Sequence, residues 1–328
     1  MKILITGATG FLGNAVSTQL LERGHTLTLM GRDFSRVRNL LYMGATPLRL
    51  DLRDRDRVQA ACEGMEMVCH LGALSSRWGS RRDFWGINVE GTRNVLEGCL
   101  QHRVKRLIYI STPGVTFDGS DHFDVNEDAP YASQFVSVYS ETKKVAEEMV
   151  LGARALLEVG VLRLKSLYGP GDRALLPRLL EAARSGRLAQ VGNGQNRLDF
   201  TYIDDAALAV ATVLEHAAPF PVRPIWHVTG GEHVRVWDVI YRILEHQGIP
   251  RNLPKIPLEV ALLTATALEQ LARVTGKEPA LNRYITLLLA RNQTYDIGKA
   301  RRELGYAPQV SLEEGLRRTL NSLDRLER

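Results

Sequence analysis

The first half of the chain alternates short, almost wholly apolar runs with longer amphipathic ones. Lys2 to Thr6, Thr26 to Met30, Thr46 to Leu50, Met67 to Leu71 and Arg106 to Ser111 have the length and texture of buried strands. Phe11 to Arg23 and Trp85 to Gln101 read as helices between them. Strand, helix, strand at this rhythm implies parallel pairing through crossover helices, and hence an α/β fold with a doubly wound parallel sheet. From Tyr139 a further helix carries Ala146, Met149, Val150 and Ala153 at helical spacing, and Val159 to Leu164 follows as a strand. Beyond Tyr168-Gly169-Pro170-Gly171 the texture changes. A basic amphipathic helix is expected at Leu175 to Ser185, a turn at Gly192-Asn193-Gly194, a helix over Thr201 to Glu215 and a strand at Ile225 to Val228. The remainder is mainly helical, broken at Pro250, Pro254, Pro257 and Pro308. The expected division is a sheet domain, 1–170 plus about 201–230, and a smaller, mainly helical domain, about 171–200 plus 231–328, whose helices would cap a pocket at the sheet edge.

Composition narrows the function. The chain has 328 residues, 45% hydrophobic and 24% charged, enough for a large core and above the usual single-domain size. Lys and Arg number 42 against 37 Asp and Glu, a net +5 too diffuse to point to nucleic acid. Local basic clusters at Arg32, Arg36 and Arg38, and at Arg77, Arg81 and Arg82, are candidates to face an anionic cofactor or substrate. Three cysteines make no disulfide framework and fit a reducing compartment, so the cytoplasm is expected. No His/Cys grouping has metal-ligand spacing, and Cys69-His70 sits in an apolar run as core, so no metal is expected. The longest uncharged stretch, Ile3 to Leu21, contains Gly7, Gly10, Gly13, Asn14 and Gln19, which argues against a membrane helix. The chain reads as a soluble protein without a cleaved leader or stable membrane insertion.

Two constellations carry chemistry. Gly7-Ala8-Thr9-Gly10-Phe11-Leu12-Gly13 directly follows the first strand and opens the first helix. There Gly7 and Gly10 permit a tight turn and let backbone N–H groups approach a pyrophosphate at the helix N-terminus, while Gly13 permits close packing of helix on sheet. The second strand ends in Gly31-Arg32-Asp33, with Arg36 and Arg38 beyond. Arg favours a ribose 2′-phosphate and an acid repels it, so Arg32 favours NADP(H); Asp33 is the counter-signal that keeps NAD(H) possible. Asp51-Leu52 after the third strand reads either as an adenine contact or as a cap for the following helix.

The second constellation is Tyr139-Ser140-Glu141-Thr142-Lys143, a phenol and an ammonium on one helix face, one turn apart. A nearby cation lowers a tyrosine pKa from about 10 toward neutrality, making the phenol a usable acid or base. The strand ending at Ser111-Thr112-Pro113-Gly114 places a hydroxyl at the carboxyl edge of the sheet, where doubly wound folds bind ligands, able to hold a substrate carbonyl oxygen.

Together with His70-Leu71-Gly72-Ala73, Asn88-Val89-Glu90-Gly91-Thr92, Leu162-Arg163, Tyr168 to Asp172, Asp199 to Asp205 and Leu304-Gly305-Tyr306, these motifs resemble, in order and over nearly the whole chain, an extended short-chain dehydrogenase/reductase with its Rossmann domain. The resemblance implies Tyr139 as acid/base, Lys143 as a second holder of the nicotinamide ribose, and Thr112 as the oxygen-orienting hydroxyl, with Ser111 behind it. It also implies that Leu52, Leu71, Gly72, Ala73 and Asn88 join the cofactor site and that two copies pair through the Tyr139-bearing helices. Trp78-Gly79, Tyr109 to Gly119 and Asn282-Arg283 resemble the 3β-hydroxysteroid dehydrogenase-like branch, which includes sterol 4-decarboxylating dehydrogenases and bacterial 2-alkyl-3-ketoalkanoate reductases. The implied activity is hydride transfer between nicotinamide and a carbonyl or secondary alcohol of a bulky apolar small molecule. Trp78, Trp85, Phe117, Phe123 and the Leu-rich 256–290 segment are candidates to line its pocket, and Arg77, Arg81 or Arg178 to meet an anionic head group. The alternative is a nucleotide-sugar epimerase with tightly held NAD, using the same groups. A cofactor-binding sensor without turnover would not need the Tyr139 phenol.

Overall fold

The computed structural model describes residues 1–76 and 78–324. Seven strands form one all-parallel sheet in the order Ile225–Val228, Glu158–Leu164, Arg106–Ser111, Met67–His70, Lys2–Thr6, Thr26–Gly31, Thr46–Arg49. Both of its faces are covered, which is why its strands read as continuous apolar runs. On one face Ile3, Ile5, Ile108 and Leu162 pack against the helices Phe11–Glu22 and Ile203–Glu215; on the other Leu4, Val68, Leu107 and Val161 pack against Gly91–Gln101 and Val138–Gly152. The chain leaves Lys2–Thr6 toward one edge and returns beside it as Met67–His70. The ends of these two strands therefore form the switch point at which such sheets bind ligands.

A second sheet has the order His233–Arg235, Arg197–Asp199, Gln293–Tyr295, His122–Val125. Two expected helices start differently. Trp85–Glu90 is a π-turn that passes into the α-helix Gly91–Gln101, a local widening that turns Asn88 inward, where its amide pairs with both backbone groups of Leu74. Thr201–Tyr202 pairs as a short parallel strand with Leu167–Tyr168, and the helix begins at Ile203; the Thr201 hydroxyl is spent on the Lys165 carbonyl at 2.5 Å. Among the described residues no helix is long and apolar enough to cross a membrane.

Candidate active site

At the switch point the backbone is packed too closely for side chains. Gly7 has φ +68°, and a Cβ there would lie 2.7 Å from Cα and N of Gly72; a Cβ on Gly13 would lie 2.2 Å from the Gly7 carbonyl oxygen. Gly10 precedes the helix Phe11–Glu22, whose first turn has neither a capping side chain nor an acidic residue, so its amides face outward as an anion site. Gly7, Thr9 to Gly13, Arg32, Asp51, Leu52, Leu71 to Ala73, Tyr139 and Lys143 all line one groove of about 1090 Å³ above this point. The glycine cradle, the open helix start and the basic Arg32 and Arg36 on the groove wall fit a nicotinamide dinucleotide.

Several expected residues are engaged otherwise. Asp33 turns away from the groove, accepting from Ser35 N at 2.9 Å and Ser35 Oγ at 3.0 Å, and these bonds lower its pKa. Asp51 caps no helix: its carboxylate accepts from Arg53 Nε and Nη2, both at 2.9 Å, which holds its pKa down at about 2. Asn88 sits behind the groove rather than on its wall, donating also to Thr142 Oγ1 at 3.0 Å, and so ties the Leu74 loop to the Tyr139 helix. His70, read as core, is buried and neutral between Thr6 Oγ1 (2.6 Å) and Thr92 Oγ1 (2.9 Å), with burial pushing its pKa down to about 3.

The helix Val138–Gly152 is capped by Ser137, whose Oγ accepts from Ser140 N. Tyr139 and Lys143 follow on its groove-facing side. Lys143 Nζ donates to the Ile110 carbonyl at 2.5 Å and lies 3.9 Å from the centroid of the Tyr109 ring. Burial lowers the Lys143 pKa to about 7, with Glu147 opposing the shift. The Tyr139 phenol moves the other way from the sequence expectation: burial first, and Tyr284 second, raise it above the ordinary tyrosine value. At neutral pH the Tyr139 phenol therefore bears its proton and is a donor.

Of the two candidate hydroxyls, Ser111 is committed to the buried Glu147 carboxylate, which Tyr131 Oη also reaches at 3.0 Å and Arg163 Nη2 at 2.6 Å. Thr112 Oγ1 accepts from Gly114 N at 3.2 Å, capping the turn Pro113–Val115, and its own proton is free to orient toward an acceptor. Neither lines the groove wall. A Cβ on Gly114 would lie 3.0 Å from Ser140 Oγ and 3.3 Å from Thr112 Oγ1, so a second hydroxyl, Ser140, borders the same space. Its place between Tyr139 and Lys143 in the chain carried no signal of this.

A second cavity, of about 700 Å³, shares Asp172 and Leu175 with the groove. Its walls are chiefly Leu, Ile, Val and Ala from the segments 175–200, 236–289 and 312–319. The Leu-rich segment lines it as expected, through Ile256, Ala261, Leu268, Leu281 and Ile285. The expected aromatics do not: Phe117 is wholly buried, Phe123 is 64% exposed, and Trp78 and Trp85 line neither cavity. Arg178 stands at the cavity rim but is paired with Glu278 at 2.7 Å; Arg81 forms a two-pronged pair with Glu141 at 2.8 and 2.6 Å. Arg77 lies outside the described residues.

The model of the NAD dependent epimerase/dehydratase family matches residues 3–228. The chain belongs to this family. It is an enzyme of the extended short-chain dehydrogenase/reductase type, with relatives named as reductases and dehydrogenases. It is 40% identical over 326 residues to the 2-alkyl-3-oxoalkanoate reductase of Stenotrophomonas maltophilia (strain K279a), covering 97% of this chain and 98% of that one. To the decarboxylating sterol-4-alpha-carboxylate 3-dehydrogenase of Schizosaccharomyces pombe it is 33% identical, covering 98% of this chain and 97% of that one. The solved structure of UDP-glucuronic acid 4-epimerase from Bacillus cereus in complex with NAD superposes with a TM-score of 0.79 over 100% of both chains, at 23% identity, a likeness of fold.

Proposed function

We propose that the enzyme reversibly reduces the keto group of a bulky apolar 3-oxoalkanoate with NADPH. The observation that carries this reading is the apolar cavity of about 700 Å³, which shares Asp172 and Leu175 with the groove that Tyr139 and Lys143 line. Aliphatic walls suit an alkyl chain; they offer few partners to the nucleotide half of a nucleotide sugar. The name of the Stenotrophomonas relative points the same way. The segments 171–200 and 231–328 then form the substrate-binding part, and the sheet with 1–170 and about 201–230 the cofactor part.

Gly7 to Gly13 and the helix start would hold the pyrophosphate, Leu71 to Ala73 the dinucleotide's middle, and Arg32 with Arg36 a 2′-phosphate, since Asp33 is turned to Ser35. When bound, the nicotinamide supplies the hydride that goes to the carbonyl carbon. The chain supplies the rest. Tyr139 Oη donates its proton to the carbonyl oxygen as negative charge develops there, Thr112 Oγ1 donates a hydrogen bond to the same oxygen, and the ammonium of Lys143 favours the phenolate left behind.

The test is NADPH oxidation by the purified protein with 2-alkyl-3-oxoalkanoates and, in parallel, chromatographic detection of epimers formed from UDP-sugars in the presence of NAD+. Turnover of the keto acids is expected, with Tyr139→Phe abolishing it while NADPH affinity stays near wild type. Turnover of UDP-sugars alone, or a normal rate in Tyr139→Phe, rejects the reading.

A further inference from the structure

A keto acid has a carboxylate beside its reacting carbon, and neither Arg178 nor Arg81 is open to receive it. Three buried side chains behind the cavity walls, Lys165, Gln293 and Tyr295, keep donors to spare. Continuing the strand Glu158–Leu164, Lys165 falls on the face of Arg163, which meets Glu147 of the Tyr139 helix at 2.6 Å. Only 4% of Lys165 is exposed. Its Nζ donates to Gln293 Oε1 at 2.6 Å and lies 5.5 Å from the centroid of the Tyr295 ring. Gln293 and Tyr295, alternate residues of one strand, share a face, and each is 1% exposed. Gln293 Nε2 and Tyr295 Oη have no hydrogen-bond partner among the described residues. The carboxylate that acts on Lys165, Asp199, is already held by His233 Nδ1 at 2.5 Å and Tyr295 N at 2.8 Å.

None of the three lines either cavity, but the residues that follow Lys165 in the chain reach both. Ser166, held at φ +43°, lines the apolar cavity and Leu167 lines the dinucleotide groove. Burial first, and Tyr284 second, raise the phenols of both Tyr139 and Tyr295.

We propose that Lys165, Gln293 and Tyr295 bind the carboxylate of the substrate beside Tyr139. The inference rests on the keto-acid reading and specifies it. A carboxylate accepts about four hydrogen bonds, and an ammonium, an amide and a phenol supply them in a dry site where each is otherwise costly to leave unpaired. Burial leaves the Lys165 pKa at about 8, so the group is still mostly cationic at neutral pH. The aliphatic wall takes the tail, and the head is fixed next to the acid.

The test compares oxidation of a 2-alkyl-3-hydroxyalkanoate and of its methyl ester with NADP+. Wild type should favour the acid, and the acid-to-ester ratio of kcat/KM should fall at least about thirtyfold in Lys165→Met and about tenfold in Gln293→Leu. Lys165→Arg should restore part of the ratio. A loss shared equally by acid and ester, which a purely structural lysine would give, overturns the proposal, as does an unchanged ratio. Separately, decanoate should bind the NADP+-loaded protein at least about tenfold more tightly than decanol, and Lys165→Met should erase the difference. If wild type oxidises neither compound yet shows this lysine-dependent carboxylate binding, the site stands and the reductase reading falls. If decanoate binding is the same in Lys165→Met, the site falls whatever the turnover.

Discussion

Filling the apolar cavity from its wall should cut the enzyme's preference for long alkyl chains without touching the reacting groups. Ala182, half-buried on the helix Leu176–Arg184, lines the cavity far from Tyr139 in the chain. Ala182→Phe would bring about six carbons into a volume of about 700 Å³ and displace a comparable length of tail. Each buried methylene is worth about 0.8 kcal/mol, or roughly a fourfold change in kcat/KM. A series of 2-alkyl-3-oxoalkanoates of rising tail length should therefore show kcat/KM climbing about fourfold per methylene in wild type until the cavity is full. In Ala182→Phe the climb should stop about four to six methylenes earlier, for a loss on the order of 3 to 5 kcal/mol with the longest tails and little with the shortest. Steady-state NADPH oxidation across the series reads this directly. An equal loss at every length would point to damaged folding, and an unchanged profile would show that the tail does not enter this cavity.

Two further outcomes are expected. Arg32→Ala should weaken NADPH by about tenfold while leaving NADH within about twofold, by fluorescence titration; equal loss of both would reject the 2′-phosphate role. Lys165 is depressed from 10.5 to about 8 by burial, so the folded state binds its proton less well than the unfolded chain, and wild-type stability should rise between pH 8 and 10.5. Lys165→Met removes this term. Below pH 8 the variant should be the more stable by about 1 to 3 kcal/mol, the ammonium's burial cost less its bond to Gln293, and the advantage should shrink toward pH 10.5 in denaturant melts. A variant less stable than wild type at pH 7 would mean that the lysine is held for the fold.

What the sequence made legible depended on how local each pattern was. The central strands showed because both faces are buried, leaving Lys2 to Thr6 and Arg106 to Ser111 with no polar alternation. Tyr139 and Lys143 showed because four residues of helix put them on one face, and the glycine run because its place between strand and helix gives it one physical use. The second sheet was hidden: its strands are three or four residues long and unite segments as distant as His122–Val125 and Gln293–Tyr295. For the same reason the cavity walls, drawn from segments 130 or more residues apart in places, and the Lys165–Gln293 bond, spanning 128 residues, have no signature in any window of the chain. Charge was misjudged where burial dominates. Burial holds the proton on Tyr139 although Lys143 stands one turn away, and Arg81 and Arg178, which were to greet a head group, are already paired.

The most direct measurement follows one atom. Purified enzyme given a 2-alkyl-3-oxoalkanoate and NADPH carrying deuterium at both C4 positions of the nicotinamide should return a 3-hydroxy acid with one deuterium on carbon 3, detected by mass spectrometry, and Tyr139→Phe should return none. Product without deuterium on that carbon, or a UDP-sugar epimerised while the keto acid is left untouched, would contradict hydride transfer to a keto acid at this site.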